Sequence, residues 1–243
     1  IYEEMAFKYK EWDILGVIFS VNTETTTGEQ PDTNDYVAEI ASKHPNQFIG
    51  FASVDPWDED SSVKELERSI TQLGLKGLKL HPIHQAFFPN DKRFYPLYEK
   101  CSDLGVPIMF HTGFAAAGAD TPGGGGLKLK YSAPIPGIDD VASDFENLTI
   151  IMAHPAWPWI EEQIAVALHK PNVYIDLSGW APKYIPKPLI KEVNSRLRDK
   201  VLFGSDFPYL QPDRWLQEFN ELPIKEEIRP KILIHNACKV LKI

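Results

Sequence analysis

The chain has 243 residues, of which 43% are hydrophobic, and its formal net charge at pH 7 is −9. The acidic balance argues against sequence-independent nucleic-acid binding, which needs a basic surface, and no apolar run reaches the roughly 18 residues of a membrane helix. The sequence therefore predicts a cytoplasmic protein that binds a small-molecule substrate and neither nucleic acid nor membrane.

Seven strand-like apolar segments recur along the chain, with amphipathic stretches between them. They cover residues 14–21, 48–54, 77–81, 107–111, 149–154, 173–178 and 201–206. Their ends are 24 to 43 residues apart, close to the roughly 30 residues of one βα unit. This period predicts parallel strands with a helix in each gap.

Helix signals fill these gaps. Amphipathic patterns and capping residues predict helices at 1–12, 34–43, 61–73, 95–104, 158–170, 187–198, 213–220 and 225–241. The longest gap holds a glycine-rich insertion, residues 112–136, whose composition indicates a flexible lid.

The strand count indicates the fold class. A closed barrel of parallel strands needs eight strands, and the segments number seven. Because residues 1–12 have a helical pattern that leads into the first segment, the absent element is the first strand. We predict an α/β fold, a (β/α)8 TIM barrel that forms a single domain over residues 1–243. Either the sequence begins inside a longer gene product or the barrel is an open, seven-stranded variant.

Three polar residues end predicted strands: His111, His154 and Asp206. The carboxyl ends of barrel strands meet at one face, where such folds place their active sites. Imidazole and carboxylate groups suit a divalent ion such as zinc, so we predict His111 and Asp206 as metal ligands. His154 is predicted to be catalytic, with a role as metal ligand as the second interpretation, and Pro155 predicts an extended backbone at this histidine. The alternative is that each of the three only caps its strand through hydrogen bonds.

Other residues at the same face are candidates for substrate binding. Alternation along segment 77–81 puts Lys79 and His81 on one side, towards the barrel interior. A buried lysine is unfavourable unless it is paired, which favours a functional role. Positive charge and flat aromatic walls would come from Lys128, Lys130, Trp157, Trp180 and Lys183. The tryptophans could instead pack helices onto the barrel, and His84 is predicted to be solvated or structural.

The strand-end motifs resemble the amidohydrolase-2 branch of the metal-dependent amidohydrolase superfamily. The motifs are Gly77-Leu-Lys-Leu-His-Pro82, Phe110-His-Thr-Gly113, Ala153-His-Pro155, Phe203-Gly-Ser-Asp-Phe-Pro208 and the closing Asn236-Ala-Cys-Lys-Val-Leu241. Together they cover nearly the whole chain from Ile14 onward. The segments 122–132 and 167–180 look closer to a subgroup that includes hydrolases of aryl β-ketoacyl-CoA thioesters.

The resemblance implies roles for the three strand-end residues. In this family a His-x-His pair on strand one, a histidine on strand five and an aspartate on strand eight hold the metal, and a strand-six histidine assists catalysis. His111 and Asp206 match the last two ligands, and His154 matches the strand-six histidine. No His-x-His occurs in the 243 residues. The strand and the ligand pair are absent together, which favours an N-terminally incomplete barrel over an open variant.

With this resemblance, we predict a metal-dependent hydrolase that acts on a small carboxylated, aromatic or thioester substrate. A divalent ion, with zinc as the expected metal, would lower the pKa of bound water; Asp206 would take the proton, and His154 would polarise or protonate the substrate. One alternative is a lyase of the same family, a non-oxidative decarboxylase or hydratase. The other is a non-catalytic, truncated relative that acts as a binding module or forms subunits of a homo-oligomer.

Overall fold

A computed structural model describes residues 2–29 and 31–243. In this range seven short strands lie inside the predicted strand segments: β1 Gly16–Ile18, β2 Phe48–Gly50, β3 Leu78–Leu80, β4 Ile108–His111, β5 Ile150–Ala153, β6 Val173–Asp176 and β7 Val201–Leu202. All pair in parallel and in chain order. A bridge between Ala52 and Leu78 connects β2 to β3. Among the described residues no ladder joins β7 to β1, so the layer is open on one side.

Helices flank the strands as the period predicts. They are α1 Tyr2–Glu11, α2 Glu24–Thr27, α3 Asn34–Lys43, α4 Glu59–Thr71, α5 Tyr95–Leu104, α6 Gly137–Asp144, α7 Ile160–His169, α8 Lys187–Val193, α9 Pro212–Asn220 and α10 Asn236–Leu241. The bounds of α3 and α5 are those predicted. None of the helices in residues 2–29 and 31–243 combines the length and the hydrophobicity that crossing a bilayer requires.

Two predicted helices are wrong in length, and two short helices, α2 and α6, are not predicted. The predicted helix at 225–241 begins only at Arg229 and runs through a π-helical turn at Lys231–His235 into α10. Pro230 lies in the first helical turn, where its missing N–H is tolerated, and this explains why the helix starts later than predicted. The predicted helix at 187–198 ends at Val193, where the side chain of Asn194 donates to the carbonyl of Ile190 at 3.2 Å.

The strands separate an outer core from an inner one. Outward residues such as Ile108 and Phe110 pack under the helices. The inward residues form a second cluster with Val240 of α10: Phe51, Met109, Ile151, Ala153, Tyr174 and Leu202. Helix α10 is attached to the amino end of β7, because Asn236 Nδ2 donates to the carbonyls of Arg198 (3.1 Å) and Val201 (2.8 Å). Apolar side chains fill this inner region, and polar ones collect at the carboxyl ends of the strands.

Helix α1 lies against the open side of the layer. The centroid of the Tyr9 ring is 5.4 Å from that of Phe48, the β2 residue paired with Gly16 of β1, and 6.0 Å from that of Phe207, beyond β7. The same ring packs directly on Gly16, where a side chain would collide with it. Burial raises the pKa of Tyr9 to about 12. The predicted helix at 1–12 corresponds to α1, and Ile1 lies outside the described residues.

Candidate active site

Two of the strand-end residues have a left-handed backbone. The φ angle is 72° at His154 and 67° at Asp206. This conformation is unfavourable for residues other than glycine, by roughly 1–3 kcal/mol each, and it concentrates at functional sites. The extended backbone predicted at His154 from Pro155 is therefore wrong: local tertiary contacts override the preference that proline imposes.

The His154 ring is held from two sides. Ser178 Oγ forms a hydrogen bond with its Nδ1 at 2.9 Å. Gly179, with a φ of 74°, lies against the ring, and an added Cβ there would be 2.6 Å from Nδ1. Burial lowers the pKa of His154, and the nearby Lys79 lowers it further. The ring is therefore neutral at pH 7, and Nε2 is the nitrogen left to meet a substrate.

Three further histidines extend from this ring and form a row of four with it. His81 stacks on His111 with centroids 3.9 Å apart and an interplanar angle of 11°. His111 meets His154 edge-on at 4.8 Å, and His84 lies 4.1 Å from His81. Burial lowers the pKa of His81 and of His111 well below the usual range. His84, predicted to be solvated or structural, belongs to this row because the turn after β3 folds it back onto His81.

Lys79 lies inside the barrel, as strand alternation predicts. Its side chain is only 3% exposed, and its Nζ is 5.1 Å from the centroid of the Phe19 ring. Burial lowers the pKa of Lys79 to about 8, while the charges of Asp176 and Asp206 oppose that shift. Asp176 in turn accepts a hydrogen bond from the backbone N–H of Ser178 at 2.5 Å. One ammonium thus lies near two carboxylates at the end of the barrel that holds His154.

The remaining predicted substrate contacts lie farther out. Trp157 is 50% exposed and meets Phe114 edge-on at 5.8 Å. Trp180 packs against the outer core, as the structural alternative predicts. The lysines Lys128, Lys130 and Lys183 are exposed. The amines of Lys130 and Lys183 lie over neighbouring tyrosine rings at 5.5 and 5.1 Å, outside the histidine row.

The two residues predicted as metal ligands, His111 and Asp206, both lie among the described residues. His111 Nε2 is buried without a hydrogen-bond partner, and its neutral ring has the protonation state that metal binding needs. The Asp206 carboxylate belongs to the same cluster, because its charge acts on both Lys79 and His154. Within residues 2–29 and 31–243, however, no three His, Cys, Asp or Glu side chains converge closely enough to hold an ion. The two predicted ligands are thus candidates for an incomplete donor set.

Comparison with known proteins places the chain among amidohydrolases. The amidohydrolase family model Amidohydro_2 matches residues 15–243. The γ-resorcylate decarboxylase of Polaromonas sp. strain JS666 is 24% identical over 248 residues, which cover 86% of this chain and 75% of that protein. The 2-amino-3-carboxymuconate-6-semialdehyde decarboxylase of Dictyostelium discoideum is 33% identical over 78 residues, which cover 32% of this chain and only 22% of that protein.

Solved structures share the fold. An uncharacterised TIM-barrel protein from Bordetella bronchiseptica has a TM-score of 0.81 at 30% identity, over 98% of this chain and 82% of that one. A dihydroxybenzoic acid decarboxylase from Polaromonas sp. JS666, solved with bound manganese and the inhibitor 2-nitroresorcinol, has a TM-score of 0.62 at 23% identity, over 86% of this chain and 73% of that one. The predicted fold class, a (β/α)8 TIM barrel seen here with seven strands, is confirmed, as is the resemblance that the sequence motifs indicate.

Proposed function

The chain belongs to the amidohydrolase-2 family, and from this membership we propose that it is a non-oxidative decarboxylase, a lyase that acts on a hydroxylated aromatic acid. The relatives that match most of the chain favour this lyase over the hydrolase predicted from the sequence. The proposal is based mainly on the buried ammonium of Lys79, which lies next to His154 and Asp206. It offers a carboxylate a cation beside two groups that can move a proton.

The chemistry follows from these three residues. Lys79 binds the carboxylate of the substrate, because an ammonium screened from water attracts an anion strongly. The neutral ring of His154 accepts the proton of a ring hydroxyl, which raises the electron density of the aromatic ring. That proton, passed on by the His154 ring directly or through the Asp206 carboxylate, goes to the carbon that bears the carboxylate. The bond from this carbon to the carboxylate then breaks, carbon dioxide leaves, and the electron pair restores the aromatic ring.

We propose that a divalent ion binds at the same end of the barrel. His111 Nε2 and the Asp206 carboxylate would be two of its ligands, and at least one more ligand must come from beyond this pair. When bound, such an ion supplies positive charge that stabilises negative charge on a substrate oxygen. Manganese is the ion in the dihydroxybenzoic acid decarboxylase, so it is tested beside zinc, the ion expected from the sequence.

Product analysis in water enriched in oxygen-18 tests the proposal against its rivals. The full-length protein, loaded with Mn²⁺ or Zn²⁺, is incubated with a panel of hydroxybenzoates, unsaturated dicarboxylates and aryl thioesters. A decarboxylase releases carbon dioxide, and its organic product gains no solvent oxygen. Labelled oxygen in a product of hydrolysis or hydration would reject the decarboxylase. Turnover of none of the panel would favour the non-catalytic alternative.

Several further properties that the sequence leads us to expect remain predictions. They are the single domain, zinc as the ion, a homo-oligomer, the cytoplasmic location, the thioester subgroup, and contacts of substrate with His81, Trp157, Trp180 and the exposed lysines 128, 130 and 183. Of these contacts, His81 is the one that the histidine row brings next to His111.

A further inference from the structure

One buried glutamine connects the two strand ends that carry His111 and His154. The Gln163 side chain on α7 is fully buried. Its Nε2 donates to the carbonyl of His154 at 2.7 Å and to Thr112 Oγ1 at 3.3 Å. Its Oε1 accepts from the backbone N–H of Ala156 at 2.9 Å. A single side-chain amide therefore binds the residue after β4 and the first and third residues after β5.

The backbone of His154 needs such a partner. Its left-handed φ of 72° is unfavourable by itself and persists only when surrounding contacts fix it. Gln163 binds the peptide groups on both sides of Pro155, namely the carbonyl of His154 and the N–H of Ala156. If the backbone rotated out of this conformation, at least one of these buried bonds would be lost.

The helix that carries Gln163 is held in place by the core. Helix α7 runs over Ile160–His169 and buries Ile160, Ile164 and Ala167 in the core. The two connected segments also pack very closely, because an added Cβ at Gly113 would lie 2.5 Å from the Ala156 backbone. The position of the His154 ring is thus determined from the helix side by Gln163 and from the strand side by Ser178 and Gly179.

We infer that Gln163 is a positioning residue that holds His154 in its left-handed conformation and so sets the ring against His111 and the substrate. The effect on turnover rests on the proposed function; the effect on the ring does not. A misplacement of about 1 Å at a reacting group can reduce turnover about a hundredfold. A glutamine with a merely structural role would lower stability and leave the ring of His154 and the turnover of folded protein unchanged.

The variant Gln163→Glu keeps the size of the side chain and its acceptor for Ala156, but it places an oxygen against the carbonyl of His154. Gln163→Met, which has similar length and no charge, is the second variant if the first does not fold. The matched control is Asn236→Asp, because this buried amide also donates to two backbone carbonyls, at the opposite end of the barrel. All three variants should melt at a lower temperature than the wild type.

Two measurements separate positioning from stability. In the folded Gln163 variants we expect kcat to fall about 10- to 100-fold with KM within about threefold, and the ¹⁵N shifts of the His154 ring to change. Asn236→Asp should leave kcat, KM and these shifts as in the wild type. Unchanged His154 shifts in a folded Gln163 variant would overturn the inference whatever the activity. If the wild type decarboxylates nothing, the proposed function fails, and the ring shifts alone decide the role of Gln163.

Discussion

Substitution of Lys79 by methionine should change how the stability of the protein depends on pH. The amine is 3% exposed and its pKa is lowered by burial to about 8, whereas in the unfolded chain it has its ordinary value near 10.5. Between these values the unfolded chain binds a proton that the folded chain does not. Stability therefore rises with pH through this window. Below about pH 8 the folded state bears the full cost of a buried ammonium.

The magnitude follows from the size of the pKa change. One pH unit corresponds to about 1.4 kcal/mol, so a fall from 10.5 to about 8 amounts to about 3 kcal/mol. Lys79→Met has no amine to titrate. The free energy of unfolding of the wild type, relative to the variant, should thus rise by about 3 kcal/mol between about pH 7 and pH 10.5.

Guanidinium unfolding of both proteins at a series of pH values measures this difference. Lys200, whose pKa burial also lowers to about 8, titrates in both proteins and cancels in the comparison. A difference in unfolding free energy that stays constant across the window would show that the Lys79 amine is solvated in the folded state. The proposed binding of the substrate carboxylate inside the barrel would then lose its basis.

Three further substitutions test the other members of the site. His154→Ala should lower kcat about a hundredfold or more while retaining bound metal, measured by steady-state kinetics and metal analysis; loss of the metal would make His154 a ligand instead. His111→Ala should weaken Mn²⁺ binding at least about tenfold in calorimetric titration, because it removes a neutral imidazole donor; unchanged affinity would exclude it as a ligand. Gly179→Ala places a Cβ 2.6 Å from His154 Nδ1 at a φ of 74°, so it should both lower the melting temperature and reduce kcat; wild-type kcat would show that the ring position is not critical.

The sequence was sufficient for the strand layer and for the residues at its polar end. Parallel strands that are buried on both faces appear as short apolar runs, and seven such runs correspond to seven strands. Alternation then places Lys79 inside the barrel, where the structure has it. The strand ends likewise bring His111, His154 and Asp206 into one cluster, because their separate strands finish at the same face.

Other features depend on contacts that no local pattern records. His84 joins the histidine row only because the turn after β3 returns to His81. The left-handed backbone of His154 opposes the preference imposed by Pro155 and depends on a glutamine on the following helix. The late start of the last helix is different, since Pro230 in its first turn is visible in the sequence and indicates a shorter helix than the one predicted.

The cluster around Lys79 and His154 is proposed to remove a carboxyl group and to deliver a proton to the same carbon. The most direct test uses γ-resorcylate, the acid after which several relatives are named. It is incubated in D₂O with the full-length, manganese-loaded protein and, separately, with the His154→Ala variant, and the products are analysed by NMR. We expect the wild type to yield a product without the carboxyl group and with one deuterium at that carbon, and the variant to yield almost none. Equal yields from both proteins, or a wild type that leaves γ-resorcylate and the other hydroxybenzoates of the panel unchanged, would contradict it.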